Sequence, residues 1–216
     1  MATKQQQLET PSIPSLGFPP EAYERRHLNE NYSSLNGYFR KLTTVLGSLF
    51  GPRGGKFMNN PYGAFQDSTD QTAASTTAAY AVTFNTTDFS NGVTMASGSR
   101  ITVVDAGIWN CQFSIQMKNT TNDTQDAEIW FRKNGTNIDN SNSRFNMSPR
   151  KSSGDPSHTI AALNFFVSMN STDYLEIMWR VSDVGVSIEQ YAAGTSPTRP
   201  ATPSAIVTMS FVSNIT

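Results

Sequence analysis

Large apolar residues recur between Leu28 and Leu49 at gaps of 4, 3, 4, 3, 4 and 3. This alternation is the spacing of a coiled-coil seam, in which apolar side chains line one side of a helix. A helix with such a stripe needs an apolar partner, because the stripe would otherwise stay in contact with water. The predicted seam consists of Leu28, Tyr32, Leu35, Phe39, Leu42, Leu46 and Leu49.

The seam lies in a helix predicted over residues 21–50, after Pro19 and Pro20 and before Gly51-Pro52. In heptad terms the bulky Tyr32 and Phe39 occupy a positions, where a three-stranded core has more room than a two-stranded one. The sequence therefore predicts a homotrimer held together by this stem. The alternative is that the helix packs against a β domain of its own chain.

The first twenty residues are predicted to be an extended arm. Four prolines between positions 11 and 20 disfavour a helix there. Exposure to water is unfavourable for the apolar side chains of Ile13, Leu16 and Phe18, so we expect the arm to bind another protein. The alternative is a disordered tail.

Residues 51–74 read as a linker that begins with a cluster of glycine and proline, and residues 75–216 as a β domain. From residue 62 on, apolar residues recur every second position, as in strands with one buried face. The many short strands predict a sandwich or barrel, so the fold class is mainly β. The predicted core of this domain includes Trp109, Phe113, Ile115, Leu175, Ile177 and Trp179.

Four short motifs in this β domain resemble those of the complement/tumour-necrosis-factor-like jelly rolls. The stretch GIWNCQFS at 107–114 is similar to their Gly-aliphatic-aromatic-x-x-x-Phe-Ser strand, and Lys133-Asn134-Gly135 to their hairpin. Residues 173–179 resemble a later strand of that family, and residues 204–212 its terminal strand. Residues 84–88 and 98–103 are similar to stretches in phage versions of the module.

The resemblance implies a C-terminal jelly-roll β-sandwich that forms trimers through one face. Members in tailed phages are virion proteins: head fibres, decoration proteins or short tail fibres. By this resemblance the chain is expected to be a virion structural protein made in the host cytoplasm, with the arm bound to a capsid or tail protein. The alternatives are a trimeric head that binds a receptor glycan and a lectin-like binding module unrelated to virions.

Catalysis and metal binding are not expected. His27 and His158 are the only histidines, and no hydrolase or metalloprotease motif surrounds them. The lone Cys111 is expected to be a buried thiol, and no cofactor is predicted. Asp123 and Asp126 are possible calcium ligands, although a solvated loop is the favoured interpretation.

The remaining predictions concern ligands and location. A net charge of −1 gives no reason to expect nucleic acid, and no signal peptide or membrane segment is recognised. A host-surface glycan is a further candidate partner of the head. Its candidate contacts are Tyr174, Trp179 and Tyr191, with core packing favoured for Trp179.

Overall fold

The computed structural model describes residues 11–18, 20–50 and 60–214, with helix side chains described up to Gly47. The chain divides into two compact units, Met1–Asn59 and Asn60–Thr216. The predictions for residues 1–10, for linker residues 51–59 and for the side chain of Leu49 lie outside the described residues.

In the described residues of the first unit there is one helix, α1, at Arg25–Phe50. It begins later than the predicted residue 21, so Glu21 and Glu24 precede it rather than occupy its first turn. The carbonyl oxygen of Glu24 accepts the hydrogen bond from the Leu28 N–H at 3.3 Å, which places Glu24 at the N-cap.

Most of the described seam is exposed within the single chain. Tyr32 is 75% exposed and Phe39 is 57% exposed, and Leu28 and Leu46 are also exposed, while Leu35 and Leu42 are half-buried. Segment 11–18 meets a neighbouring face of α1: the Gly17 N–H donates to Asn31 Oδ1 at 3.4 Å. A Cβ on Gly17 would lie 3.0 Å from the His27 ring. This contact leaves Tyr32 and Phe39 uncovered.

The second unit is built from strands, and a mainly β fold with antiparallel sheets is confirmed. The strands are β1 Tyr62–Asp67, β2 Gln71–Thr72, β3 Tyr80–Ala81, β4 Thr86–Asn91, β5 Val93–Ala96, β6 Arg100–Val103, β7 Gly107–Asn119, β8 Gln125–Lys133, β9 Thr136–Asn137, β10 Ser143–Met147, β11 Ser157–Met169, β12 Tyr174–Val181, β13 Val186–Ile188, β14 Gly194–Thr195, β15 Thr198–Arg199 and β16 Ala205–Ser213.

Two large sheets share these strands. The first sheet has the order β2-β13-β7-β16-β1-β4, and β11 pairs with β7 along its whole length. The second sheet has the order β10-β8-β12-β6-β5, with β3 beside β12 and β9 beside β8. The short strands β14 and β15 form a separate hairpin.

The core lies between the two large sheets. Strands alternate between buried and less buried residues, as in β7, because successive side chains point to opposite faces. Phe113 of the first sheet meets Phe131 of the second with ring centroids 5.8 Å apart, and Phe131 stacks on Phe165 at 4.8 Å. The residues predicted for the core are all buried there: Trp109, Phe113, Ile115, Leu175, Ile177 and Trp179.

One predicted boundary of the β domain differs from the structure. β1 and β2 lie within the segment 51–74 that was assigned to a linker, so the β domain begins before residue 75. Farther along the chain, Asn140 lies between β9 and β10 and has a φ of +60°. A left-handed residue of this kind breaks the extended backbone, and asparagine tolerates it better than most residues do.

Candidate functional site: two contrasting sheet faces

The outer face of the second sheet carries paired charges. Register places Glu128 of β8 beside Arg144 of β10 on one side and Arg180 of β12 on the other. Glu128 Oε1 accepts hydrogen bonds from Arg180 Nη2 at 2.8 Å and from Arg144 Nη2 at 3.0 Å. Asn142 donates to the other carboxylate oxygen at 3.2 Å. The carboxylate is therefore held by three partners from neighbouring chain segments.

A second carboxylate on this face is almost completely enclosed. Glu176 of β12 is 3% exposed. Arg132 of β8 donates to Glu176 Oε2 at 2.9 Å, and Ser99 Oγ donates to Oε1 at 3.1 Å. Arg100 Nε lies 3.7 Å from Oε1. Ionic contacts thus connect β6, β8 and β12 across the outer face.

The Glu128 cluster makes the fold sensitive to acid. The hydrogen bond from Arg180 lowers the pKa of Glu128 to about 2; partial burial opposes this change, and Asn142 and Arg144 reinforce it. Its ordinary pKa is 4.5. Because the folded chain holds the proton less tightly than the unfolded chain does, ionised Glu128 stabilises the fold above about pH 4.5. That stabilisation is lost as the pH falls through about 2.

Glu128→Gln is expected to lower the free energy of unfolding at pH 7 by about 1–2 kcal/mol, a value discounted for the partly exposed arginines. The difference should shrink between about pH 4.5 and 2, which urea unfolding at several pH values would measure. Asp155→Asn is the control, because Asp155 makes only an exposed contact with Lys151 at 4.0 Å. Equal pH profiles for wild type and Glu128→Gln would contradict this assignment.

The outer face of the first sheet is mostly apolar or uncharged. Ile160 and Phe166 of β11 are 59% and 57% exposed, and Ile206 and Val212 of β16 are also exposed. Between them lie uncharged polar residues of β7 such as Gln112. In the strands of this face within residues 60–214, the charged side chains are Asp88, at the β4 edge, and Lys118, at one end of β7.

Two further features of this face leave hydrogen-bonding groups without partners among residues 60–214 of a single chain. Within residues 60–214, β11 pairs with β7 alone, so a thirteen-residue strand has one open edge. Lys133 Nζ donates to the carbonyl oxygen of Ser168 at one end of that edge, at 2.9 Å. Beside Phe166, the Asn110 Oδ1 atom is buried without a hydrogen-bond partner among the described residues. Buried polar atoms normally have partners.

One end of the first sheet holds a polar cluster. Glu189 binds Lys118, and the Tyr191 hydroxyl lies 2.5 Å from His158 Nδ1. Burial raises the pKa of Tyr191, and Glu189 raises it further. Burial opposes ionisation of Glu189, but the bond from Lys118 and further partners leave its pKa below the ordinary value. The cluster therefore connects Tyr191 and the start of β11 to the end of β7.

The candidate glycan contacts are scattered. Trp179 is 1% exposed and belongs to the core. The ring of Tyr174 is covered by the Arg100 guanidinium, 4.6 Å from its centroid, and Tyr191 is held by His158. Sequence reasoning missed Trp130, which lies on the outer face of the second sheet. Its alternation with Ile129 and Phe131, both fully buried, was the signal that could have placed it there.

The residues considered for metal or thiol chemistry are also placed. Asp123 and Asp126 are not brought together with further ligands, and the described residues contain no group of His, Cys, Asp and Glu side chains suited to a metal ion. Cys111 is fully buried, and burial raises the pKa of its thiol to about 12. A thiol in that environment stays protonated and unreactive.

No family model matches the chain, and no curated protein is significantly similar to it. In the described part of the chain, no helix is long and apolar enough to cross a membrane.

Proposed function

We propose that this protein is a trimeric structural component of a tailed-phage virion. In this proposal the N-terminal arm binds a capsid or tail protein, α1 forms a three-stranded stem, and a jelly-roll head is displayed outward. The observation that carries the proposal is the contrast between the two sheet faces. On the outer face of the second sheet the charged side chains pair with one another, whereas the outer face of the first sheet exposes apolar side chains and an open strand edge.

Exposed apolar surface supports self-association of both units. Burying a large apolar side chain is worth about 1.5–3 kcal/mol, and Ile160, Phe166, Tyr32 and Phe39 each leave most of that gain unused in a single chain. A second copy offers the same apolar composition, whereas the charged face of the second sheet would lose hydration if it were covered. We therefore assign the first sheet's outer face to contacts between copies.

The strand order supports the jelly-roll assignment. In the first sheet β1, β16, β7 and β11 are successive neighbours, and in the second β6, β12 and β8 are, so most neighbouring strands are distant in sequence and chain crossovers connect the sheets. Such crossovers are typical of Greek-key and jelly-roll sandwiches. They also bring the terminal strand β16 beside β7, where the first motif lies.

The motifs that resemble the phage modules have physical roles in this fold. Asn134 and Gly135 both have positive φ, +49° and +80°, as a tight two-residue hairpin requires. The Asn134 side chain donates to Asp173 at 2.7 Å and accepts from the Tyr174 N–H at 2.9 Å, so two motifs bind each other. At Gly107, a Cβ would collide with the Phe211 ring. These contacts support a shared architecture.

The arm supplies the anchoring part of the proposal. Ile13 and Phe18 are 86% and 97% exposed, and Leu16 is 46% exposed. Deleting residues 2–18 is expected to abolish incorporation into particles, because these apolar contacts with the virion would be lost. Quantitative mass spectrometry of purified virions measures the copy number directly. Ile13→Ser with Phe18→Ser, which keeps the chain length, should cause most of the same loss.

The control is the mass of the purified deletion variant in solution, which should remain that of a trimer. Unchanged copy number in particles carrying the deletion would refute anchoring by the arm. Complete absence of the wild-type protein from virions would refute the structural role itself.

A further inference from the structure

We propose that the outer face of the second sheet binds a neutral saccharide on Trp130. This inference rests on the proposed function, since a head displayed on a virion is placed to meet host-surface glycans. Trp130 points outward because it alternates along β8 with the fully buried Ile129 and Phe131. Its indole N–H donates to Asn137 Oδ1 at 2.8 Å, so the ring is held in one orientation.

A fixed aromatic ring is what the C–H face of a sugar can stack on, because the ring provides flat apolar area at little cost in side-chain entropy. Trp109 and Trp179 cannot serve, since they are 0% and 1% exposed. The ring of Tyr174 is occupied by Arg100. Trp130 is half-buried between Glu128 and Arg132 of its own strand and beside the buried Met178 of β12, so part of the residue stays open to solvent.

Polar groups lie at the right distance to bind hydroxyls of a stacked sugar. Glu128 is two residues before Trp130 on the same face of β8, which is about 7 Å along a strand. On the side of Glu128 away from Trp130 is a pocket of about 50 Å³ lined by Asp126, Glu128, Arg144, Arg180, Val181 and Ser182. A space of this size fits a hydroxyl or hydroxymethyl group rather than a whole ring.

The charges around the pocket favour a neutral ligand. Asp126 and Glu128 are balanced by Arg144 and Arg180, and Arg180 and Arg144 both bind Glu128. A charged ligand would have to compete with these ion pairs. Glu128 already accepts four hydrogen bonds, but Asp126 accepts one from Asn146 and keeps other acceptor positions, so a hydroxyl group can bind without such an exchange.

Fluorine NMR on the full-length protein labelled with 5-fluorotryptophan tests the inference. The chain has three tryptophans, and Trp130→Phe identifies the Trp130 resonance by its loss. The probes are glucose, galactose and N-acetylglucosamine, with N-acetylneuraminic acid as the charged comparator. At least one neutral sugar should shift the Trp130 resonance saturably, with a Kd of about 1–10 mM, and leave the Trp109 and Trp179 resonances in place.

Saturation-transfer NMR observed on the sugar then tests the variants. Trp130→Ala should abolish the signal, and Asn142→Ala, at an exposed position that contacts Glu128, should weaken binding several-fold. Phe89→Ala is the matched control, an exposed aromatic on the other sheet that should bind like wild type. No shift of the Trp130 resonance by any neutral sugar, a response to the charged sugar alone, or undiminished binding by Trp130→Ala would overturn the inference. Because these measurements use isolated protein, their outcome is independent of incorporation into virions.

Discussion

A chain carrying Ile160→Asp and Phe166→Asp is expected to associate roughly a hundred-fold or more weakly than wild type, since the loss of two buried apolar side chains removes about 3–6 kcal/mol. Both residues are more than half exposed in the single chain, so the fold itself should lose little. Adding Tyr32→Asp and Phe39→Asp in α1 should leave single chains of 23.7 kDa. Light scattering at micromolar concentration should give about three times that mass for wild type.

The control places the same added charge on the second sheet. Thr94→Asp with Ala96→Asp changes two exposed residues of β5, and this pair should remain trimeric. Circular dichroism would show that all variants keep their strand content. A wild-type mass of one chain, or equal dissociation by the β5 pair, would disprove the assignment of the first sheet's outer face to self-association.

Replacing Glu176 by alanine is expected to destabilise the β domain by about 1.5–3 kcal/mol, because the carboxylate is enclosed whereas the side chains of Arg132 and Arg100 remain 30% and 46% exposed. Glu176 is 3% exposed, and its loss leaves Arg132 and Ser99 without their acceptor. Because Ser99 and Arg100 lie at the start of β6, the β5–β6 hairpin should loosen first. Urea unfolding measures the total loss, and hydrogen exchange of the β6 amides measures the local one.

Glu176→Gln tests the contribution of the charge alone, because glutamine has nearly the same shape as glutamate. It keeps one oxygen for Arg132 and should cost less than alanine does. Asp155→Ala, which removes an exposed carboxylate, should change the free energy of unfolding by less than about 0.5 kcal/mol. An alanine variant at Glu176 as stable as the Asp155 variant would show that the ionic contacts of this face contribute nothing.

The parts of the fold that followed from sequence are those with a local cause. Period-two alternation predicted a body of strands, which includes β7, and residues 133–135 were expected to form a hairpin, in which Asn134 and Gly135 have positive φ. β1 and β2 were missed because their partners, β16, β4 and β13, lie far away along the chain. Their short segments carry little pattern of their own, and cross-strand pairing decides whether they are strands.

The candidate surfaces were harder to predict. The side-chain hydrogen bonds of Glu128 come from residues 14 to 52 positions away, and those of Glu176 from residues 44 to 77 positions away. No spacing rule connects such positions. Trp130 was passed over because a tryptophan in an apolar strand looks like core, and only the buried neighbours on both sides of it identify the outward face.

By itself, the sequence determined that this protein has an amphipathic helix and a body of strands, because helical and strand periodicities are local properties of the chain. It also indicated strand residues that form the core, such as Trp109 and Ile177. The tertiary structure alone decided on which sheet face the charged side chains pair with one another, and which face exposes apolar side chains and an unpaired strand edge. That choice depends on the register between strands, and register arises from packing contacts between segments that are remote in sequence.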